Sequence, residues 1–218
     1  MKPLFLILTA SFAISYSLPA QDDFFNRLSD AALKLTNQNV VYDPAYYSIP
    51  YPGGDIPENK GVCTDLIIRA YRQVGVDLQK EVHEDMKANF TLYPDNWGLS
   101  HPDKNIDHRR VPNLMTFFSR FGESKPVTDN PDDYLPGDIV CWDLGGNIPH
   151  IGLVVNKKSS VCYTENHREQ QRTTENKVLS DGERFLIVHN IGNGQVLEDC
   201  LFSFRITGHF RYEKKENL

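Results

Sequence analysis

Long apolar runs are scarce in this 218-residue chain. Beyond residue 20 none approaches the roughly 18 residues that a membrane-spanning helix needs, which excludes such a helix from everything downstream. A basic surplus is missing too. Lysine and arginine number 23 against 29 aspartates and glutamates, a formal net charge of −6 with no long run of either sign, so the electrostatic footprint of a nucleic-acid binder is absent. Cysteine is sparse, at four, too few for a disulfide scaffold at this length, and no Cys-x-x-Cys pair offers zinc or redox chemistry. The chain has no GxSxG elbow, no phosphate-binding P-loop and no GxGxxG turn. HEDMK at 83–87 lacks the second histidine of a zinc protease. DKNIDH at 103–108 starts like a calcium loop but has no glycine at its sixth place, and Leu114 fills the twelfth, where glutamate is needed. His83, His101, His108, His167 and His209 show no repeated ligand spacing. No metal and no cofactor is expected.

What remains is an ordinary globular composition, 40% hydrophobic and 24% charged. A chain of this length buries roughly 70% of its unfolded surface and needs no staple to fold. Met1 to Ala20 carries one charge, Lys2, then the apolar run LFLILTASFAISY, then small residues ahead of polar QDD. That is the layout of a secretory signal. Cleavage after Ala20 leaves 22 basic against 29 acidic residues, a net of −7. The expectation is a signal peptide over 1–20 and one domain over 21–218, exported to the periplasm or beyond, monomeric and without stable membrane insertion. In an oxidising compartment Cys63, Cys141, Cys162 and Cys200 are candidates for bridges. If one thiol is kept for chemistry, one bridge at most remains, and Cys162 with Cys200 is the pairing expected.

Residues 22–37 place Phe24, Phe25, Leu28, Ala32 and Leu35 at helical spacing. Residues 41–60, rich in Tyr, Pro and Gly, read as an ordered loop. Val62, Leu66, Ile67, Ala70 and Val74 predict a helix over about 62–74, with Gly75 just past its end. Residues 81–107 read as irregular, and a further helix is expected from Arg110 to Phe121. After Pro136-Gly137 the character becomes strand-like, with short β-branched and aromatic runs at 138–142, 150–155, 184–189 and 201–212. Helices first and strands afterwards predict an α+β domain, its helices packed on a C-terminal antiparallel sheet or half-barrel. Insertions are expected at about 79–134 and 156–183, the second as an elongated hairpin tip. No internal repeat is present.

Cys63 occupies the first turn of the 62–74 helix, where unpaired backbone amides and the helix dipole favour a thiolate and can receive an oxyanion. It also shares a face with Ile67, Ala70 and Val74, as a small core residue would. His150 opens a strand, and Gly152, two residues on, leaves room for the Cys63 helix to approach. His189 ends the next strand and Asn190 follows. If the two strands form a hairpin, one of these lies beside His150 as the third member of a triad, and the register does not say which. Asp107, His108, Arg109 and Arg110 cluster ahead of a helix, where arginine's fork of donors suits a carboxylate.

GVCTDLIIRAYRQVGVDL (61–78), LPGDIVCWD (135–143), PHIGLVV (149–155) and FLIVHNIG (185–192) together resemble the NlpC-type branch of the papain-like cysteine peptidases. YDPAYYSIPYPGGDIP (42–57), YPDNWGL (93–99), NIDHRRVPNLMTFF (105–118) and TGHFRY (207–212) resemble a bacterial family known as domain of unknown function 1287. The resemblance implies a papain-like fold with Cys63 as nucleophile, His150 as base and His189, or Asn190, as the orienting residue. It implies cleavage of amide bonds in peptidoglycan stem peptides through a thioester, without cofactor. The Cys63 N–H and a hydroxyl from Tyr46, Tyr47 or Tyr51 are expected at the oxyanion, with Asp65, Arg109 and Arg110 toward substrate. The chain departs from the usual Asp-Cys-Ser start with Val62-Cys63-Thr64, and its two insertions enlarge the rim. The rival expectations are a hydrolase of lipids or small amides, and a cell-wall binding module whose triad is a relic.

Overall fold

The computed structural model describes residues 20–159 and 183–215. The expected signal segment, the greater part of the expected hairpin tip, and Cys162 lie outside the described residues; Cys200, the partner expected for Cys162, carries a free thiol, so that bridge is not formed. Among the described residues there are four α-helices: α1 (Ala20–Leu35), α2 (Cys63–Gln73), α3 (Leu78–Asn89) and α4 (Val111–Phe121). Two-residue strands β1 (Val41–Tyr42) and β2 (Lys60–Gly61) pair in parallel. The main sheet is built from β3 (Glu123–Ser124), β4 (Ile139–Asp143), β5 (Pro149–Lys158), β6 (Phe185–Asn190), β7 (Gln195–Glu198) and β8 (Arg205–Arg211). Its order is β3-β8-β4-β5-β6-β7, antiparallel at every pairing. The fold class is therefore α+β, helices on an antiparallel sheet.

Both faces of the sheet are covered, and the two-residue period of the strands sorts their side chains between them. Ile139, Cys141, Ile151, Leu153, Val155 and Val188 meet the helices in the larger core, against Leu28, Leu66, Ile67, Tyr71 and Phe118. Val140, Trp142, Val154 and Ile187 face the other way, into a smaller core closed by Tyr134, Cys200 and Leu201. Trp142 buries its ring there and donates its indole N–H to the Leu201 carbonyl at 2.9 Å. This double burial explains why the β4 segment reads as a solid apolar run instead of an alternating one.

The Pro-Gly-Asp turn ahead of β4 is a structural anchor. Gly137 sits at φ +89°, and a Cβ there would meet the Cβ of Phe25 at 2.6 Å, so both backbone and packing require glycine. The buried Asp138 carboxylate accepts from the Leu135 N–H at 2.9 Å and lies 2.8 Å from His209 Nε2, with the Arg211 guanidinium also on it. It thereby ties β4 to β8.

One expected element differs in kind. Residues 78–89 are helix, where an irregular stretch from 81 was expected. Asp77 caps α3 by accepting from the Gln79 N–H, and Leu78, Val82 and Met86 bury a narrow stripe four residues apart. The remaining positions are mostly polar or charged, which hid the period. The short strand β7 was also not anticipated.

Candidate functional site

Three separate stretches of chain meet at the start of α2. Val62 is extended, and its N–H donates to Asp65 Oδ2 at 2.7 Å, so Asp65 caps the helix that Cys63 opens. The same carboxylate takes Arg109 in a bidentate pair, Nε to Oδ1 at 2.8 Å and Nη2 to Oδ2 at 3.0 Å. Arg109 further donates to the Ala45 carbonyl at 2.9 Å, while the Thr64 hydroxyl donates to the Arg109 carbonyl at 3.0 Å. Asp65 and Arg109 are both buried. Expected to handle substrate, they are engaged with each other and hold the Cys63 turn against the 41–60 loop. Asn190 donates to the Gly61 carbonyl at 3.3 Å and fixes the same turn from β6.

The Cys63 thiol is buried and free of any bridge, as are Cys141 and Cys200. Burial pushes it up to about 12, with the Asp65 charge adding to the effect and the amides of Ile151, Thr64 and Cys63 itself working the other way. The thiolate expected from the helix terminus is thus not the resting form, because loss of solvent outweighs the amides. Burial and the neighbouring His189 likewise push His150 down to about 3. Thiol and imidazole are both neutral at rest. Among the described residues no hydrogen bond joins them. Cys63 reaches β5 through the amide of Ile151, the residue after His150.

His150 and His189 are in direct contact, His150 Nε2 to His189 Nδ1 at 2.8 Å, and His189 Nε2 continues to Glu198 Oε2 at 3.0 Å. The proton positions follow from the far end. A carboxylate only accepts, so His189 carries its proton on Nε2 and presents a lone pair at Nδ1. His150 must then donate from Nε2, which leaves the lone pair of its Nδ1 as the base. Of the two residues expected as third member, the strand period puts His189 on the face of His150 and Asn190 on the opposite face. Glu198 was not anticipated, since it lies on β7, and nothing short of the β6–β7 pairing would reveal it.

Gly152 has a different role from the one expected. Its missing side chain does not make room for the Cys63 helix. A Cβ there would lie 2.7 Å from Ile187 Cγ2, 3.1 Å from the Trp142 ring and 3.2 Å from His189 Cβ. Gly152 pairs with His189 across β5–β6, so its bareness lets the second imidazole come up to the first.

In front of Cys63 lies a cleft of about 230 Å³ whose walls include Tyr42, Val62, Trp97, Arg110 and Pro149. Tyr42 contributes a hydroxyl-bearing ring to that cleft. Burial first, then the charges of Cys63 and Asp65, hold its hydroxyl above the usual phenol range, so it remains a donor. The three tyrosines expected there are turned elsewhere: Tyr46 to Asp103 and Asn105, Tyr47 to Asp43 and Lys60, Tyr51 to Glu84. Tyr42 is set beside the nucleophile's turn by its pairing with Gly61, a contact that local sequence does not announce. Arg110 lays its guanidinium 4.0 Å from the Trp97 ring centroid and donates to Asp107 at 3.0 Å. It lines both the Cys63 cleft and a neighbouring cavity of about 280 Å³.

Residues 29–183 and 161–212 match the family described as domain of unknown function DUF1287. The chain belongs to that family. The uncharacterized protein YijF of Escherichia coli (strain K12) is 46% identical over 185 residues, 85% of this chain and 80% of the relative's own length. The matched region reaches from α1 to the end of β8 and includes Cys63, His150, His189 and Glu198. The family description assigns them no role.

Proposed function

We propose that the chain is an exported cysteine hydrolase of the papain-like, NlpC-type kind, cleaving amide bonds in peptidoglycan stem peptides. The observation that carries this is the Glu198–His189–His150 relay ending on β5, one residue from the amide that faces the Cys63 sulfur. A thiol at a helix N-terminus offers the nucleophile and the hydrogen-bonded imidazole of His150 the base, although the strand period sets His150 on the sheet face of Trp142, opposite the face that packs on the helices.

Because thiol and imidazole are neutral at rest, proton transfer accompanies attack. The reaction requires that His150 turn so that its Nδ1 comes into hydrogen-bonding reach of Cys63 when substrate occupies the cleft. His150 Nδ1 takes the thiol proton as the sulfur bonds to the amide carbon. The carbonyl oxygen gains the negative charge and is held by the Cys63 N–H and the Tyr42 hydroxyl. Collapse returns the proton from His150 to the departing amine and leaves a thioester. Water, deprotonated by the same nitrogen, attacks the thioester, releasing the acid and restoring the thiol. His189, held by Glu198, stabilises the positive charge His150 carries midway. Arg110 is the cleft's half-buried cation and suits a carboxylate of an acidic stem peptide.

Digestion of purified sacculi by wild-type and Cys63→Ala protein, read by mass spectrometry, tests the reading. Shortened stem peptides from the wild type alone are expected; identical digests would refute it. One observation favours a second reading, a cell-wall binding module with a relic triad: Cys63 and His150 share no hydrogen bond. A thiol probe that labels Cys63 no faster than buried Cys141 would decide for that reading.

A further inference from the structure

Beside the relay lies a thiol that the reaction does not use, Cys200. Cys200 Sγ lies 3.6 Å from His189 Nε2, on the side where Glu198 Oε2 lies at 3.0 Å. The three donor atoms fall within 4.8 Å of one another. Cys200 and His189 are buried, while the Glu198 side chain is half exposed and provides a way in from solvent. Tetrahedral zinc, with bonds of roughly 2.0–2.3 Å, sets its ligand atoms about 3.3–3.8 Å apart, so small side-chain adjustments suffice to enclose an ion. The donors are a thiol, an imidazole and a carboxylate, the set zinc prefers. An outer partner is in place as well, because His189 Nδ1 is already hydrogen-bonded to His150.

We propose that His189, Glu198 and Cys200 form a zinc site that switches the relay off. An ion on His189 Nε2 takes the position of the proton shared with Glu198, so neutral His189 must carry its proton on Nδ1. That nitrogen then donates to His150 Nε2, and His150 keeps its own proton on Nδ1, the atom needed as base. The two rings hold two protons before and after, and the single proton released per ion comes from the Cys200 thiol. Solvent takes it. The site itself is independent of the hydrolase reading; its effect on Cys63 rests on that reading.

The test uses the reduced, chelator-treated chain. Zinc is titrated against a chromophoric chelator, and cobalt(II) serves as a spectroscopic probe. One zinc per chain is expected, with a near-ultraviolet thiolate-to-cobalt band. The Cys200→Ser variant should lose the band and bind zinc at least tenfold more weakly, and Glu198→Gln should also bind at least tenfold more weakly. Cys63→Ser and Cys141→Ser should keep the band. Glu198→Gln, altering a half-exposed side chain, carries the test if Cys200→Ser fails to fold. Zinc affinity unchanged in both variants, or no binding at micromolar ion, overturns the site. Saturating zinc should also slow alkylation of Cys63 at least tenfold in the wild type and not in Cys200→Ser. A cobalt band with unaltered Cys63 alkylation overturns the switch. Because the band requires no turnover, failure of the hydrolase reading and failure of the site are told apart.

Discussion

Replacing Asp65 by asparagine removes one charge from the pair that holds the nucleophile's turn and leaves the Arg109 guanidinium buried without its counter-ion. Both side chains are nearly sealed, at 2% and 3% of their free exposure, so water cannot compensate. Breaking such a pair from one side costs about 3–5 kcal/mol. At about 2–4 °C per kcal/mol for a domain of this size, the melting temperature should fall by roughly 6–20 °C. Removing the second charge as well, in Asp65→Asn/Arg109→Met, should recover part of that, because the double variant buries no lone charge. The check is a double-mutant cycle by chemical denaturation, with a coupling energy above about 1.5 kcal/mol expected. The cycle also has a chemical readout. If the pair holds the turn, Asp65→Asn alters the alkylation rate of Cys63 under conditions where the variant remains folded. A loss below about 1 kcal/mol in the single variant, or a double variant that simply sums the two singles, would refute the argument that this pair is a buried clamp.

Tyr42→Phe deletes only a hydroxyl at a partly exposed position, so stability should hold while turnover falls by about a hundredfold, the usual cost of losing one oxyanion donor; unchanged kcat would remove Tyr42 from the mechanism. Gly152→Ala forces a methyl toward Ile187 and His189 and should cost about 1–3 kcal/mol together with a matching loss of activity, measured by denaturation and by digest assay. His150, held near 3 against an ordinary value of about 6.5, stabilises the fold fully above pH 6.5 and progressively less as pH falls, because the unfolded chain binds a proton the fold refuses. In His150→Gln the slope of stability between pH 6 and 4 should accordingly be shallower by about 1.4 kcal/mol per pH unit, leaving the similar contribution of His108 in place. Asp107, pushed up to about 6 by burial, acts in the opposite sense. Its stabilisation is present below about pH 4 and lost as pH rises through 6, so Asp107→Asn should steepen the same slope by a similar amount.

Local pattern carried the frame of this molecule further than its site. The α2 boundaries were legible because a clean apolar period ends at Gly75, and the strand runs at β4, β5 and β6 because burial on both faces leaves few polar interruptions. α3 was hidden by a stripe only three residues wide, Leu78, Val82 and Met86, among charges. Within the site, Cys63 and His150 stand out by position on their elements. The selection of His189 over Asn190 waits on which face each occupies. Glu198 and Tyr42 depend on pairings between strands too short to announce themselves. The protonation of Cys63 went against expectation for a different reason: a helix terminus is visible in sequence, whereas the depth to which it is packed is not.

The sheet order has a consequence for how the molecule is made. β8, the last in sequence of the described strands, lies inside the sheet with β3 on one side and β4 on the other, and the Asp138 contacts to His209 and Arg211 are made only when it arrives. Until synthesis has passed residue 211, β4 lacks one of its two hydrogen-bonded neighbours and a buried carboxylate lacks its cation. A nascent chain of this protein therefore cannot close its main sheet, or neutralise the carboxylate beneath it, until residue 211 has emerged.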